Sequence, residues 1–368
     1  MASKNFLSNY FFLFLKKFFS LEENKSKDLG EIKKILVIRQ HNQLGDLLAG
    51  VSLFRALKET YPNSKVTLLC SIENYFGALK NKFVDKLFVF NKFQMYNPIK
   101  LFSFYRFLRQ DFDVVIVPVT VSISFTSNLM ARISNSKIRI GPNSLDGKPN
   151  ETAFLFDRRI DIDWRKFPDS NVAEHILEIV RPFGINTKDY SSIISFDNSD
   201  LNEVKKFLNQ INFNSNSKLI GLHVGAGKPP NRWSLKKFVE LISELNKDYN
   251  CTFYLTGTDF DREELNYVKN NSTVKIFEFV NHSVQEIAAL VSLSNLFISN
   301  DTGIMHVAGT TDTPLISLFG PTNPFNWAPC GKNKIFIRKS DLIDDIQVED
   351  VFITCTKFLS DDQYKISK

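Results

Sequence analysis

Three short segments carry residues suited to a phosphorylated, hydroxyl-rich ligand. The densest is Leu296–Gly331, LFISNDTGIMHVAGTTDTPLISLFGPTNPFNWAPCG. An apolar strand pattern ends at Ser299, a turn runs through Asn300, Asp301, Thr302 and Gly303, and a helix follows. The N–H groups of a first helical turn have no partner within the helix and favour an anion such as a diphosphate. Gly303 lets a ligand approach the backbone, and His306, one turn in, is placed to donate to a phosphate oxygen. Asp301 would repel a diphosphate, so it either accepts bonds from sugar hydroxyls or caps the helix.

The second segment, HVGAGKPPNRW from His223 to Trp233, runs from a strand into a loop with Gly225, Gly227, Lys228 and Arg232. It resembles a phosphate cradle without the GxxxxGK[ST] spacing, and its cations have the alternative of simple solvation. At the end of the next strand, Thr256, Gly257, Thr258 and Asp259 stand where contacts to a base and ribose belong. The third segment is RQHNQLGDL, Arg39–Leu47. Gly45 permits a tight turn and Asp46 opens a helix, whose dipole favours the ionised carboxylate. Such a group can take a proton from an acceptor hydroxyl or serve as an N-cap. No GxGxxG follows the strand, which argues against a dinucleotide enzyme. Three Asp-x-Asp triplets, at 111–113, 161–163 and 259–261, have the composition of a divalent-cation pair, but their settings beside a strand or in charged stretches favour a solvated role, and no metal is expected.

These segments need a scaffold of alternating strands and helices. The first half predicts strands at Ile35–Arg39, Val66–Cys70, Leu87–Phe90, Val114–Val119 and a short one at Arg139–Gly141. Helices are predicted at Asp46–Thr60, Ile99–Leu108 and Asn171–Phe183. A polar stretch, Asn186–Asp200, reads as a linker, after which the pattern restarts. Strands are predicted at Leu219–Val224, Cys251–Thr256, Val274–Glu278, Leu296–Ser299 and, last, Pro314–Phe319. The helices between them are Asn202–Leu208, Leu235–Leu245, Arg262–Asn270 and Val284–Ser292, with one beginning at Thr302–Ala308 and a terminal one at Val348–Phe358. This is α/β alternation, two parallel-sheet units facing a ligand cleft. The domain expectation is a Phe/Lys-rich segment and linker over 1–32, Rossmann-like domains over 33–185 and 200–340, and a C-terminal helical region over 341–368.

A net charge of +6 in 368 residues is too small to point to nucleic acid. The four cysteines are far apart, with no framework for disulfides or zinc, which makes a reducing compartment the default. The 35 phenylalanines read as compositional drift. Within Phe6–Leu21 the apolar run Tyr10–Leu15 is too short to span a bilayer, and Lys16 and Lys17 follow that run instead of preceding it as in a signal peptide. It reads either as an interfacial helix on anionic lipid or as a helix packed on the protein itself.

Taken together, the segments resemble glycosyltransferase family 9, the heptosyltransferases of lipopolysaccharide core assembly. The resemblance spans roughly Lys34 to Leu359 and rests most firmly on the run from Asn300 to Pro324. The Gly45–Asp46 loop, the Arg232–Trp233 pair and the helix AEHILEIVRPFG (Ala173–Gly184) agree with it. It implies a GT-B fold of two Rossmann-like domains, with the C-terminal helix returning to the first. The second domain would hold an ADP-heptose donor and the first a lipid A–inner core acceptor. Transfer would invert the anomeric centre without metal or cofactor. The resemblance places the catalytic aspartate at Asp46 and donor contacts at Asp301, Thr302, Gly303 and His306. Gly225, Lys228, Arg232, Thr256 and Gly257 complete the expected nucleotide-sugar site. It further implies work in the cytoplasm of a Gram-negative cell, peripheral on the inner membrane. The sequence departs from the family where a lysine often stands two positions before the tryptophan (here Asn231) and where Thr-Pro often follows the aspartate (here Gly50 and Val51). Two alternatives remain: another GT-B enzyme, with a different nucleotide sugar or an epimerase activity, and a non-catalytic membrane homologue. The presence of Asp46, Asp301 and His306 together speaks against the latter.

Overall fold

The computed structural model describes residues 13–40 and 43–360. They form two compact units. The first comprises residues 13–40 with Gly50–Tyr75 and Lys82–Tyr190; the second comprises Gln43–Ala49, Phe76–Asn81 and the chain from Ser191 onward.

The first sheet contains β1 (Lys34–Arg39), β2 (Lys65–Cys70), β3 (Lys86–Val89), β4 (Phe112–Ile116), β5 (Ser136–Leu145), β6 (Lys148–Pro149) and β7 (Arg158–Ile162). Its order is β3-β2-β1-β4-β5, with β7 parallel on β5. The two-residue strand β6 folds back antiparallel on β5. The turn between them is Asp146–Gly147, with φ of 52° and 73°. Positive φ at both central residues is the twist-matched hairpin turn, which Asp-Gly adopts readily. The second sheet contains β8 (Lys218–His223), β9 (Cys251–Gly257), β10 (Ile276–Val280), β11 (Leu296–Asn300), β12 (Leu315–Leu318) and β13 (Lys334–Ile337), in the order β10-β9-β8-β11-β12-β13. Every pairing in it is parallel. Both sheets reverse direction beside their first strand, at β1/β4 and β8/β11, and such switch points are where open α/β sheets bind ligands.

The second unit is packed by amphipathic helices. Leu235–Asp248 buries Phe238, Leu241, Ile242 and Leu245, one helical stripe. The C-terminal helix Val348–Leu359 buries Val351, Cys355, Phe358 and Leu359 in the same core. This corrects the expectation that it returns to the first domain: its apolar stripe is satisfied on the second sheet's own helix layer.

Other differences have local causes. The predicted helix Asp46–Thr60 is two helices, Leu44–Ala49 and Val51–Thr60, with Gly50 between them. Asn171–Phe183 is a short helix followed by two 3-10 turns, the second with Pro182, which has no N–H to continue an α-helix, near its start. Gly184 ends it with φ of 76°. β5 is far longer than Arg139–Gly141, β7 arises where charged residues masked the alternation of Ile160 and Ile162, and β13 follows what was read as the last strand.

Residues 1–12 of the Phe-rich N-terminus lie outside the described residues. Residues 13–19 are helical, with Leu15 buried and Leu13, Phe14 and Phe18 exposed. The linker expected within residues 1–32 lies on the first unit: Asn24 N–H donates to Asp157 O (2.8 Å), and Leu29 and Ile32 are buried. Among the described residues no helix is long and apolar enough to cross a membrane.

Candidate active site

The polar residues of the second unit converge where β8 and β11 end. Asn300, fully buried, closes this junction. Its Nδ2 donates to the carbonyls of Val224 (2.9 Å) and Gly225 (3.2 Å), and its Oδ1 accepts the N–H of Trp233 (3.2 Å). The indole N–H of buried Trp233 donates to Ile346 O (2.9 Å), fixing the far end of the loop. Buried amides with every partner satisfied hold one geometry, since breaking any bond strands a polar group away from water.

Asp301 follows. Its carboxylate accepts from Asn231 Nδ2 at 2.9 Å and from the Thr322 hydroxyl. Burial pushes this carboxyl above the ordinary aspartate range, opposed by Thr322 and the nearby Lys228 ammonium. Asp301 does not cap the following helix: Thr302 does, its Oγ1 accepting from Met305 N (3.4 Å) ahead of Gly303–Gly309. The departure noted at position 231 therefore has a local meaning. A neutral amide, not an ammonium, faces Asp301.

His306 is buried, which depresses its pKa to about 4. At neutral pH it is an uncharged imidazole with a single N–H to donate. The helix Leu44–Ala49 lies against it. A Cβ on Gly45 would come within 2.8 Å of the His306 ring, and one on Gly303 would stand 3.8 Å from Leu44 and 4.0 Å from the Gly45 nitrogen. Glycine at 45 is thus what lets the two short helices approach. Asp46 is the third residue of its helix and 7% exposed. It lies in the first turn and not at the cap, where the negative charge still favours the helix. Leu48 anchors this helix in the core with Met305 and Val307, and Ser192 Oγ donates to its carbonyl (2.6 Å).

The structure therefore seats the short helix that carries Asp46 on the helix Gly303–Gly309, which follows Asp301 and Thr302 and bears His306, with Lys228 exposed near Asp301. Other expected site residues have structural employment. Arg232 donates to Ala226 O (2.7 Å) and pairs with Glu264 (2.6 Å), so its guanidinium braces the loop. Thr256 is fully buried, its hydroxyl bonded to His223 Nδ1 (3.1 Å). Gly225 makes room for the Asp261 carboxylate, which a Cβ there would meet at 2.2 Å. Sequence reasoning missed Asn300, Asn231 and Thr322 as the groups that hold Asp301 and its loop. All three lie inside or beside the quoted motifs, but an amide or hydroxyl declares no role until its partner is known.

The Asp-x-Asp carboxylates are engaged by the protein. Asp113 takes the N–H groups of Lys33 and Lys34 and the Lys137 ammonium, and Asp111 takes Asn135. Asp161 takes Asn143, Asp163 pairs with Arg165, Asp259 with Arg262, and Asp261 accepts from Thr258. Among the described residues no group of three or more His, Cys, Asp or Glu is arranged to hold a metal.

In the first unit a cavity of about 270 Å³ opens beyond the ends of β2 and β3, lined by Gln40, Ser71, Glu73, Asn91, Lys92 and Phe93 among others. Gln40 Nε2 donates to Ser124 Oγ (3.3 Å) and Ser127 Oγ (3.1 Å), tying the end of β1 to the helix Phe125–Ile133. Of this lining only Gln40 lies in a quoted segment, Arg39–Leu47, because the cavity is assembled from separate loops.

Comparison with known proteins agrees with this architecture. The chain is 22% identical to lipopolysaccharide heptosyltransferase 3 of Escherichia coli over 310 residues, covering 79% of this chain and 85% of that protein. In fold it matches the crystal structure of a family 9 glycosyltransferase from Veillonella parvula, with TM-score 0.78, 18% identity and coverage of 91% and 99% of the two chains. It likewise matches the E. coli ADP-heptose lipopolysaccharide heptosyltransferase II, with TM-score 0.72, 20% identity and coverage of 90% and 99%. The two sheets are those of a GT-B fold. The sequence model of glycosyltransferase family 9 (heptosyltransferase) matches residues 101–350. The chain belongs to that family and is a glycosyltransferase.

Proposed function

We propose that this enzyme transfers a heptose or closely related sugar from an ADP-activated donor to the inner core or lipid A region of lipopolysaccharide, with inversion, at the cytoplasmic face of the inner membrane. The observation that carries this reading is the seating of the Asp46 helix on the helix that bears His306, through Gly45. It supports a reading in which Asp46 acts as base beside a helix start that takes the diphosphate. The relative from E. coli named as an ADP-heptose heptosyltransferase supports the choice of donor.

In this scheme the acceptor oxygen attacks the anomeric carbon from the face opposite the diphosphate. The new carbon–oxygen bond forms as the bond to the diphosphate oxygen breaks, ADP departs with that electron pair, and the hydroxyl proton passes to Asp46. Lys228 and the N–H groups at the start of Gly303–Gly309 stabilise the charge growing on the diphosphate. Neutral His306 adds one N–H and no charge. Asp301, oriented by Asn231 and Thr322, accepts sugar hydroxyls. No metal or cofactor takes part, and the N-terminal segment through residue 24 contributes to membrane contact.

A thermal-shift screen of ADP, UDP, GDP and their sugars tests the donor. At a hundredfold excess over its dissociation constant the true ligand adds roughly 2.7 kcal/mol, and ADP and ADP-heptose are expected to give the largest shifts. A shift with UDP or GDP alone would reassign the nucleotide.

A further inference from the structure

The first unit carries an unusual surface beside its cavity. The 3-10 turn Lys92–Tyr96 buries none of its side chains, and the helix Pro98–Leu108 buries only Phe104, Phe107 and Leu108, which pack on the sheet with Leu36, Leu69 and Val115. The other side of both elements faces solvent, with Tyr96 89%, Ile99 78% and Phe93 74% exposed, and Phe102 and Tyr105 more than half exposed. At 100° per residue, Ile99, Phe102 and Tyr105 fall on the helix face opposite the buried stripe. Arg106 and Arg109 share that face. Isolated apolar residues are ordinary on a protein surface, but a contiguous aromatic patch marks an interaction site.

Charge identifies the partner. From residue 86 to 110 the chain contains Lys86, Lys92, Lys100, Arg106 and Arg109 and neither Asp nor Glu. Protein interfaces are depleted in lysine at their centre. Aromatic rings interleaved with lysine and arginine are instead what a headgroup region accepts, rings at the acyl boundary and cations at the phosphates. The surface also continues past the helix. Arg109 donates to Ile133 O (3.4 Å), and neighbouring Arg132 donates to Phe19 O (2.7 Å) and lies over the Phe19 ring. The helical residues 13–19 then add exposed Leu13, Phe14 and Phe18 beside Lys16 and Lys17. At its other end the patch reaches the cavity, since Lys92 and Phe93 also line it.

We infer that the segment 92–109 docks on an anionic bilayer and sets the mouth of the first unit's cavity at headgroup level, where a lipid-borne acceptor can enter it. The second half of this statement rests on the acceptor proposed above. Flotation of the full chain with vesicles of phosphatidylcholine, alone or mixed with phosphatidylglycerol, tests it. The chain should float with the mixed vesicles. I99S/F102S/Y105S should lower that partition on the order of tenfold or more, and R106E should lower it by roughly fivefold or more. Wild-type flotation by the charge variant overturns the inference whether or not the serine variant folds. So does a wild-type dimer that the serine variant dissociates, because the patch would then join copies of the chain. Transfer to a delipidated, water-soluble acceptor should stay at the wild-type rate in both variants. If the wild type transfers no sugar while flotation behaves as stated, the proposed function fails and the docking surface stands.

Discussion

The two units build the same strand order and finish it differently. At the end of β8 and β11, polar side chains bond to one another and to the backbone: Asn300 to three loop groups, Asn231 to Asp301, Thr256 to His223. The loops of the first unit leave an open cavity and a collar of exposed rings. One rim is rigid because each buried polar group needs its partner. The other has little to lose by meeting a variable, partly apolar surface. On the two proposals above the same sheet topology would serve two kinds of recognition, and substitutions in the two rims should fail in different assays.

The largest effect is expected at Asp46. Asp46→Asn should lower turnover by a factor on the order of 10²–10⁴, with ADP affinity by calorimetry and melting temperature nearly unchanged, because the residue is not the helix cap. Normal turnover would pass the role of base to Asp301 or to a group outside this rim.

Next comes the pH dependence set by His306. Its folded pKa, about 4, lies below the ordinary 6.5. The unfolded chain therefore binds the proton more readily, and stability is lost as pH falls from 6.5 toward 4. The loss is up to about 3 kcal/mol as an order of magnitude. Denaturant melts of wild type and His306→Gln should converge with acidification over that window. Parallel curves would show that the ring titrates alike in both states.

A smaller effect separates the rims directly. Asn300→Ala strands two carbonyls and the Trp233 N–H and should cost about 1–3 kcal/mol. Gln40→Ala, at the half-buried rim of the first unit, should stay within about 0.5 kcal/mol. Equal losses in chemical denaturation would erase the contrast.

The smallest concerns the loop cations. Lys228→Ala should weaken ADP by roughly fivefold, about 1 kcal/mol. Arg232→Ala should show more in melting temperature than in ADP affinity, since its partners are Glu264 and the Ala226 carbonyl. The reverse pattern would return Arg232 to the phosphates.

Much of the second unit was legible from sequence because its elements are locally determined. Val284–Ser292 carries an amphipathic period and a Ser283–Glu286 capping box, and its predicted bounds match those observed. The strands β8, β9 and β11 each hold an unbroken buried apolar stretch, Leu219–Leu222, Phe253–Leu255 and Leu296–Ile298, as expected of strands covered on both faces. The first unit was read less well. β5 and β7 mix charge with apolar residues, and the Asp146–Gly147 turn between β5 and β6 passed unnoticed. The helices Ile72–Ala78 and Phe125–Ile133 also passed unnoticed.

The sequence by itself determined the α/β alternation, the family and the segments that carry the candidate site, since periodicity, turn residues and motif spacing are properties of neighbours along the chain. Tertiary structure decided what each polar residue does. Gly45 is a contact for His306, Gly225 makes room for Asp261, Arg232 braces a loop, and Asn231 faces Asp301. It also decided that part of the phenylalanine excess, read from sequence as drift, is turned outward at Phe93 and Phe102. A side chain's partner is set by distance in space, and hydrogen bonding, burial and the pKa shifts that follow all depend on that distance.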